Sequence, residues 1–171
     1  MQRATLELLC EEGFGQTRID AVAERAGVSR PTIYRRYADR EALIEAAVLA
    51  CFEADVPVVA ESEDALADLH ALLDNTIEML ERTPIGPVFR AMIPHLPRHP
   101  RLGRVANALG RQRRTRLARA LERAIAAEQV APPRSVDAVL DGLIGAIYFR
   151  YFITGRRLDR RYVRKLLDGL L

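Results

Sequence analysis

The sequence is poor in the residues from which many functional sites are built. Its 171 residues include no tryptophan, two cysteines, three histidines and a single lysine. Cys10 and Cys51 form no CxxC pattern, so we interpret both as reduced, packed thiols and not as zinc ligands. No run approaches the roughly 18 apolar residues of a membrane span, and the first residues do not resemble a secretion signal. We therefore expect a cytoplasmic protein without a membrane partner.

Recognisable catalytic patterns are also missing. The sequence contains no GxSxG, P-loop, GxGxxG or HExxH motif, and nothing in it assembles a nucleophile with a base. His95 and His99 are four residues apart, but Pro94, Pro97 and Pro100 oppose the helical turn that would align them on a metal. We predict no enzyme activity, no metal site and no cofactor.

Helical periodicity dominates the sequence. Apolar residues make up 49% of the chain and recur at three- and four-residue spacing, whereas alternating β-branched runs are almost absent. Glycine and proline breakers leave room for about nine helices. The pattern predicts an all-α protein with a small N-terminal domain of three helices (residues 1–46) and a larger helical domain (47–171). The helix from Arg40 to about Ala54 would connect them.

Charge is distributed unevenly along the chain. Residues 49–96 contain 2 basic and 9 acidic residues, whereas residues 97–171 contain 17 basic and 6 acidic ones. Eight arginines fall between residues 101 and 123. A helix with these arginines on one face could bind lipid or nucleic acid. We favour the interpretation that the arginines pair with the acidic segment 49–96 in the folded chain.

Two short helices near the N-terminus meet at a tight glycine turn. Thr17 followed by Asp20 resembles a capping box that opens the first of them, and Gly27 ends it. Ser29 would cap the next helix, with Pro31 in its first turn. This spacing is typical of a helix-turn-helix, whose second helix enters the major groove of DNA.

The second helix presents polar and cationic side chains. Hydroxyl groups, an aromatic ring and guanidinium groups suit phosphate anchoring and guanine recognition. They belong to Ser29, Arg30, Thr32, Tyr34, Arg35 and Arg36. Simple packing is the alternative interpretation for Tyr34, and a solvated face is the alternative for Arg35 and Arg36.

The 27 residues from Thr17 to Leu43, TRIDAVAERAGVSRPTIYRRYADREAL, resemble the DNA-binding motif of the tetracycline-repressor (TetR) family. The segment from Gly142 to Leu158 resembles a late helix of one C-terminal subgroup. The resemblance implies phosphate contacts from Thr17, Thr32, Tyr34 and Arg40, and contacts at or near base edges from Arg30, Pro31, Arg35 and Arg36. Arg18 and Ser29 complete the predicted DNA-binding set.

The N-terminus departs from the family pattern. Members usually carry a basic segment before the first helix, which here begins almost at Met1. Two interpretations stay open: the native start lies upstream, or DNA binding is weaker than in relatives. Fewer phosphate contacts would flatten the salt dependence of binding.

The last two helices carry more apolar surface than one core contact requires. We predict a homodimer in which they form a four-helix bundle across a two-fold axis, although a monomeric core is the alternative. The predicted interface comprises Val139, Gly142, Leu143, Ile147, Tyr151, Tyr162, Leu166 and Leu170.

The middle of the chain is rich in apolar side chains between prolines. In the family this region encloses an effector pocket. Our candidate lining for a small, largely apolar effector is Phe52, Met79, Phe89, Met92, Ile93, Leu96 and Tyr148, with ordinary core packing as the alternative for each.

We therefore predict a repressor that binds a pseudo-palindromic operator in double-stranded DNA as a homodimer and is released by an effector. The alternative function is a helical dimeric scaffold or ligand-binding protein with weak or lost DNA binding. The intact Arg30 to Arg40 segment argues against this alternative, whereas the short N-terminus argues for it.

Overall fold

The computed structural model describes residues 1–55 and 59–171. Within these ranges the chain forms nine α-helices and no strand. The helices are α1 (Gln2–Glu11), α2 (Ile19–Ala26), α3 (Arg30–Tyr34), α4 (Arg40–Asp55), α5 (Ala65–Arg82), α6 (Ile85–Met92), α7 (Pro100–Ala126), α8 (Val136–Tyr148) and α9 (Arg160–Leu170). Two 3₁₀ segments (Phe14–Gln16 and Ile93–Arg98) and a π-helical turn (Phe149–Ile153) complete the described elements. The predicted all-α fold is confirmed.

The chain divides into two compact units. The N-terminal unit comprises Met1–Val56 and Thr83–Ala108, and the C-terminal unit comprises Pro57–Arg82 and Leu109–Leu171. The N-terminal unit extends beyond the predicted DNA-binding domain because α6 packs against both α1 and α4. The functional boundary between residues 46 and 47 stays a prediction.

A small apolar cluster holds α1 to α4 together. Its buried members are Leu8, Ile19, Val22, Ala23, Ile33 and Leu43. They come from four helices at the helical spacing of the sequence, so each short helix is stabilised by its neighbours and not by its own propensity. Val28 and Tyr37 are partly buried against this cluster.

The C-terminal unit has its own core. Its fully or almost fully buried side chains include Leu69, Leu73, Leu80, Leu117, Leu121, Leu140, Leu143, Ile147, Val163 and Leu167. Asp159 caps α9 by accepting a hydrogen bond from the Tyr162 N–H (2.8 Å). Among the helices described, none is both long and apolar enough to cross a membrane.

The arginines of α7 pair partly as predicted. Arg123 binds Asp68 (2.8 Å) and Arg119 binds Glu61 (3.0 Å), both in the acidic segment. Arg114 instead reaches Asp137 and Asp141 on α8. These arginines of α7 therefore pair within the folded chain, as expected. The sequence did not indicate that α8 would supply some of the carboxylates.

Candidate nucleic-acid interface

The turn between α2 and α3 is closed by backbone hydrogen bonds around Gly27. This glycine has a left-handed conformation (φ 65°, ψ 33°), which a side chain would disfavour. Its N–H donates to the Glu24 carbonyl (3.1 Å), and the Val28 N–H donates to the Ala23 carbonyl (3.0 Å). This is the Schellman arrangement, which ends α2 and leaves two residues before α3 begins. The predicted tight turn is confirmed.

The start of α3 lies at the predicted residue, but the predicted capping hydrogen bond of Ser29 is absent. Ser29 is the N-cap residue and Pro31 lies in the first turn. The Ser29 hydroxyl lies 2.9 Å from the Thr32 hydroxyl and makes no capping bond to a backbone N–H. Ser29 and Thr32 therefore form a hydroxyl pair at the N-terminal end of α3.

The outer face of α3 is exposed while its inner face is anchored. Ile33 is completely buried, whereas Tyr34 is 54% exposed and Arg35 and Arg36 are exposed. Tyr34 is therefore not a core residue of the chain, which was the alternative interpretation. Arg35 donates to the Thr32 hydroxyl (3.2 Å), and Arg36 makes no ion pair within the described residues. This face offers a phenol and two guanidinium groups to solvent on a short, fixed helix.

One carboxylate lies beside this cationic face. Asp20 on α2 forms ion pairs with Arg30 Nε (2.7 Å) and with Arg18 Nη2 (3.9 Å). Both arginine side chains remain more than 60% exposed. Asp20 therefore restrains the two cations at the surface without removing them from solvent, a role that the sequence pattern did not reveal.

Thr17 has a different position from the one implied by the family resemblance. Its side chain is 1% exposed, and its hydroxyl donates to the Gly13 carbonyl (3.0 Å). The capping-box prediction is wrong, because the N-cap of α2 is Arg18 and it makes no side-chain capping bond. The structure therefore places the Thr17 hydroxyl within the chain and not on the exposed face.

Arg40 is also engaged internally. Its Nε donates to the Thr17 carbonyl (2.8 Å), its Nη2 donates to the Phe14 carbonyl, and its guanidinium lies over the Phe14 ring (4.4 Å). Burial lowers its pKa below the ordinary arginine value. Instead of projecting toward DNA, this side chain ties the Phe14–Gln16 turn to the start of α4.

Phe14 lies at the centre of a polar and aromatic cluster. His95 stacks on its ring (4.6 Å between centroids), and His99 lies at a tilt (4.7 Å). His99 Nδ1 is 2.6 Å from Glu41 Oε1 on α4. The two histidines thus contact the helix-turn-helix region within the N-terminal unit.

The N-terminus of α4 is capped by Asp39. This carboxylate accepts a hydrogen bond from the Ala42 N–H (2.7 Å) and binds Arg101 (3.0 Å). The hydrogen bond from Ala42, together with the Arg101 cation, holds the pKa of Asp39 below its usual value. Asp39 therefore caps α4, the helix that follows α3.

Replacing Asp39 with alanine is expected to lower the free energy of unfolding by about 1 kcal/mol at neutral pH, because the cap is lost. A carboxyl group with a lowered native pKa stabilises the fold above its ordinary pKa of about 4, and this contribution disappears as pH falls through the native value. The difference between the two proteins should therefore shrink below about pH 4.

Urea unfolding followed by circular dichroism at several pH values measures this effect. Glu24→Ala is the matched control, since Glu24 is an exposed acid that makes no ion pair within the described residues. An equal loss of stability at neutral and acid pH would contradict the capping role of the ionised Asp39.

The predicted dimer residues divide by exposure. Val139, Leu143, Ile147 and Tyr151 are at most 7% exposed and belong to the core of the C-terminal unit. A Cβ at Gly142 would lie 3.2 Å from Leu170, so this close approach occurs within the chain. Val139, Leu143, Ile147 and Tyr151 offer little surface to a partner, and their assignment to an interface is corrected, whereas Gly142 is half-buried. Tyr162, Leu166 and Leu170 are half-buried.

An apolar stripe that sequence analysis missed lies on the outer face of α8 and the π-helical turn. Phe149 is 58% exposed and Ile153 is 73% exposed. Ala138 and Gly145 lie in line with them and are exposed as well, while Asp141 between these two is charged and pairs with Arg114. Helical spacing alone could have separated this face from the buried one, but it could not decide which of the two faces was outside.

The predicted effector residues fall in both units. Phe52, Phe89, Met92, Ile93 and Leu96 belong to the N-terminal unit, whereas Met79 and Tyr148 belong to the C-terminal unit. Met92 and Met79 are buried, and Ile93 is 38% exposed. Their role as a lining stays a prediction.

A cavity of about 290 Å³ lies within the C-terminal unit and involves none of the predicted effector residues. It is lined by Val59, Ala60, Glu61, Asp68, Leu72, Thr115, Arg116, Arg119, Ala120 and Arg123. Within this lining Arg119 pairs with Glu61 and Arg123 pairs with Asp68. The charges of these two arginines are therefore balanced by carboxylates of the same unit.

Two family models match the chain. The family described as bacterial regulatory proteins, tetR family, matches residues 3–47, and the family described as tetracyclin repressor-like, C-terminal domain, matches residues 59–170. The first match includes the whole of the exposed α3 face. The second covers more than half of the chain.

Known proteins with similar sequence and structure agree with these matches. An HTH-type transcriptional regulator of Bacillus subtilis, YdeS, is 27% identical over 172 residues, which cover 96% of this chain and 82% of that protein. The crystal structure of the TetR family transcription regulator SCO0332 is 29% identical and covers 99% of this chain and 93% of its own, with a TM-score of 0.65.

The crystal structure of MexZ, a repressor responsible for antibiotic resistance in Pseudomonas aeruginosa, has the same fold with a TM-score of 0.77. It is 23% identical, and the match covers 99% of this chain and 92% of MexZ. The chain therefore belongs to the tetR family of bacterial regulatory proteins, and it is a DNA-binding transcription regulator.

Proposed function

We propose that this protein is a cytoplasmic repressor that binds a pseudo-palindromic operator as a homodimer and is released by a small, largely apolar effector. The observation that supports operator binding most directly is the exposed α3 face. Tyr34, Arg35 and Arg36 project from a helix whose opposite side is anchored by the buried Ile33. A short helix fixed in this way can enter the major groove without losing its shape.

The chemistry of α3 suits both kinds of DNA contact. Arg35 and Arg36 can each donate two parallel hydrogen bonds to the O6 and N7 atoms of guanine. Tyr34, Ser29 and Thr32 carry hydroxyl groups that can bind phosphate oxygens. Arg30 and Arg18, oriented by Asp20, add positive charge at the edge of the face. We therefore expect guanine at one or two positions of each half-site.

Dimerisation would place two α3 helices on successive major grooves. The exposed side chains of Phe149 and Ile153, with the small exposed Ala138 and Gly145 in line with them, support this proposal, because large apolar side chains exposed side by side commonly mark a protein interface. A Cβ added at Gly145 would meet no atom of the described residues within 4 Å, which leaves room for a partner helix. A second copy of the chain would bury this stripe against its own equivalent.

Replacing Phe149 and Ile153 with aspartate is expected to produce a monomer. Charges at these positions would need to be desolvated in the interface, whereas they are readily solvated in the free chain. Light scattering after size-exclusion chromatography measures the mass. Ile93→Asp, which alters an exposed isoleucine in the N-terminal unit, is the control and should leave the mass at that of the wild type. A dimeric double variant would rule out this stripe as the interface.

Release by an effector would act through α4. This helix begins beside the recognition segment, is capped by Asp39 and packs along α1 and α6 in the N-terminal unit. A displacement of α4 would therefore alter the positions of both α3 helices on DNA. Coupling of this kind is typically worth about 1–3 kcal/mol. Tighter operator binding in the presence of the effector would reverse the proposed direction.

Selection of genomic fragments with the purified protein tests the proposal as a whole. We expect enrichment of an inverted repeat whose half-sites contain guanine, bound by two chains. Titration of the best site at two salt concentrations then measures the number of phosphate contacts. If no sequence is enriched, operator recognition by this chain is wrong and the alternative of a helical dimer without DNA function is favoured.

A further inference from the structure

Arg113 on α7 points its guanidinium group at α5 inside the C-terminal unit. Its Nε donates to the Thr76 hydroxyl (3.1 Å), its Nη2 to Asn75 Oδ1 (2.8 Å) and its Nη1 to Met79 Sδ (2.7 Å). These three partners are 9% exposed or less. All three are neutral, so a cation is held at a fixed place by groups that carry no balancing charge.

Other arginines of the same unit have carboxylate partners. Arg114, the next residue, binds Asp137 and Asp141, and Arg123 binds Asp68. Within the described residues Arg113 makes no ion pair, and the charged side chain acting on it from its own helix is a second cation, Arg116. Burial lowers the pKa of Arg113, but an arginine stays protonated in proteins.

A half-buried cation without an anion is unfavourable, since desolvation is not offset by an opposite charge. A bound anion would supply the missing opposite charge. Charged groups in such unbalanced surroundings are candidates for functional sites.

The guanidinium retains capacity for an anion. Three of its five N–H groups are used by Thr76, Asn75 and Met79, which leaves one on each of Nη1 and Nη2. Two N–H groups on one fork match the two oxygens of a carboxylate. Met79 supplies apolar surface at the guanidinium, and the phenol of Tyr148 is close enough to interact electrostatically with Arg113.

We propose that Arg113 binds the carboxylate of a small organic acid whose apolar body packs near Met79 and Tyr148. The site would take an aliphatic or aromatic monocarboxylate and discriminate against the corresponding alcohol. That this acid acts as the effector rests on the function proposed above, whereas the binding site itself does not.

Isothermal titration calorimetry on the full chain tests the site with two matched pairs of probes. These are 4-phenylbutyrate with 4-phenylbutan-1-ol, and octanoate with 1-octanol. We expect at least one acid to bind the wild type about tenfold or more tightly than its alcohol, because a hydrogen-bonded charge pair distinguishes them. Equal affinities for both members of each pair, or no binding of either acid at millimolar concentration, would overturn the proposal.

Arg113→Met removes the charge while keeping a side chain of similar length. It should bind the preferred acid no more tightly than the alcohol. Its melting temperature without ligand should fall modestly, because three hydrogen bonds to buried groups are lost. Arg111→Met, at an exposed position on the same helix, should behave as the wild type. A marked loss of thermal stability in Arg113→Met, with the acid preference retained, would assign Arg113 to a structural bridge between α5 and α7.

Arg113→Lys keeps the cation but loses the fork, and provides the test if Arg113→Met does not fold. It should retain a weaker preference for the acid than the wild type. An unchanged preference would overturn recognition by the guanidinium fork.

Fluorescence anisotropy with the selected operator separates this site from the regulatory function. The acid should weaken operator binding by the wild type and leave that of Arg113→Met unchanged. Acid binding without any operator binding would refute the DNA-binding proposal but keep the site. Operator binding without acid binding would refute the site but keep the DNA-binding proposal.

Discussion

Replacing Tyr34 and Arg36 together with alanine is expected to lower operator affinity by about 100-fold while leaving the folded structure unchanged. Loss of a base-reading guanidinium typically costs about 1–3 kcal/mol, and a hydrogen bond to a phosphate adds about 1.5 kcal/mol or more. Both side chains are exposed and lie outside the apolar cluster of α1 to α4. Their removal should therefore affect binding and not stability.

Fluorescence anisotropy with a labelled operator measures this loss, and circular dichroism checks the fold. Arg161→Ala removes one exposed cation on α9 and serves as the charge control, for which we expect unchanged affinity. Variants with one substitution each distinguish phosphate contacts from base recognition. Tyr34→Ala should weaken all sequences alike, whereas Arg36→Ala or Arg35→Ala should relax the preference for guanine. Wild-type affinity in the double variant would mean that α3 does not read this operator.

Replacing Ile33 with alanine should have the opposite signature, with a loss of stability of about 2–5 kcal/mol. Ile33 is completely buried among side chains of α1, α2 and α4, and the short α3 has few other apolar contacts. The substitution removes buried methyl groups and leaves a cavity at the centre of the helix-turn-helix. Operator binding should fall as a consequence, because α3 loses its anchor.

Urea unfolding followed by circular dichroism, at a constant protein concentration, measures this change. Ile93→Ala makes the same chemical change at a site that is 38% exposed in the same unit, and should cost less. Native-state hydrogen exchange adds local detail, since amides of α2 and α3 should lose protection first. Equal losses in the two variants would show that Ile33 is not the anchor of α3.

Prediction from sequence worked well where a local signal was sufficient. Gly27 marks the turn because a left-handed residue favours glycine, and Asp39 marks the start of α4 because its side chain reaches a free N–H. The helical spacing of Leu102, Val105, Leu109, Leu117 and Leu121 indicates one inner side of α7, and all of these except the half-buried Leu109 are buried.

The same reasoning failed where the outcome depended on distant partners. Thr17 had the spacing of a capping box, yet its hydroxyl is bound by the Gly13 carbonyl. Arg40 resembled a phosphate ligand, yet its guanidinium binds the carbonyls of Phe14 and Thr17. Both exposed and buried alternatives were compatible with the sequence, and long-range contacts within the N-terminal unit decided between them.

Dimer residues show the same limit on a larger scale. Apolar residues occur on several sides of α8 and the π-helical turn, but Leu143 and Ile147 are buried whereas Phe149 and Ile153 are exposed. When a helix is apolar on several sides, its sequence alone does not show which side packs against the rest of the same chain. Packing of α8 against α9 and the rest of the C-terminal unit determines which face is buried and which is exposed.

The sequence by itself determined that the chain is helical, where its turns lie and that α3 is polar on one side. These properties follow from periodicity and backbone preference, which act over a few residues. Tertiary structure decided which polar groups are used within the chain and which remain available. Arg36 is left exposed, Arg40 is bound internally and Arg113 is held without a carboxylate, because burial and charge balance depend on residues brought together from distant parts of the sequence.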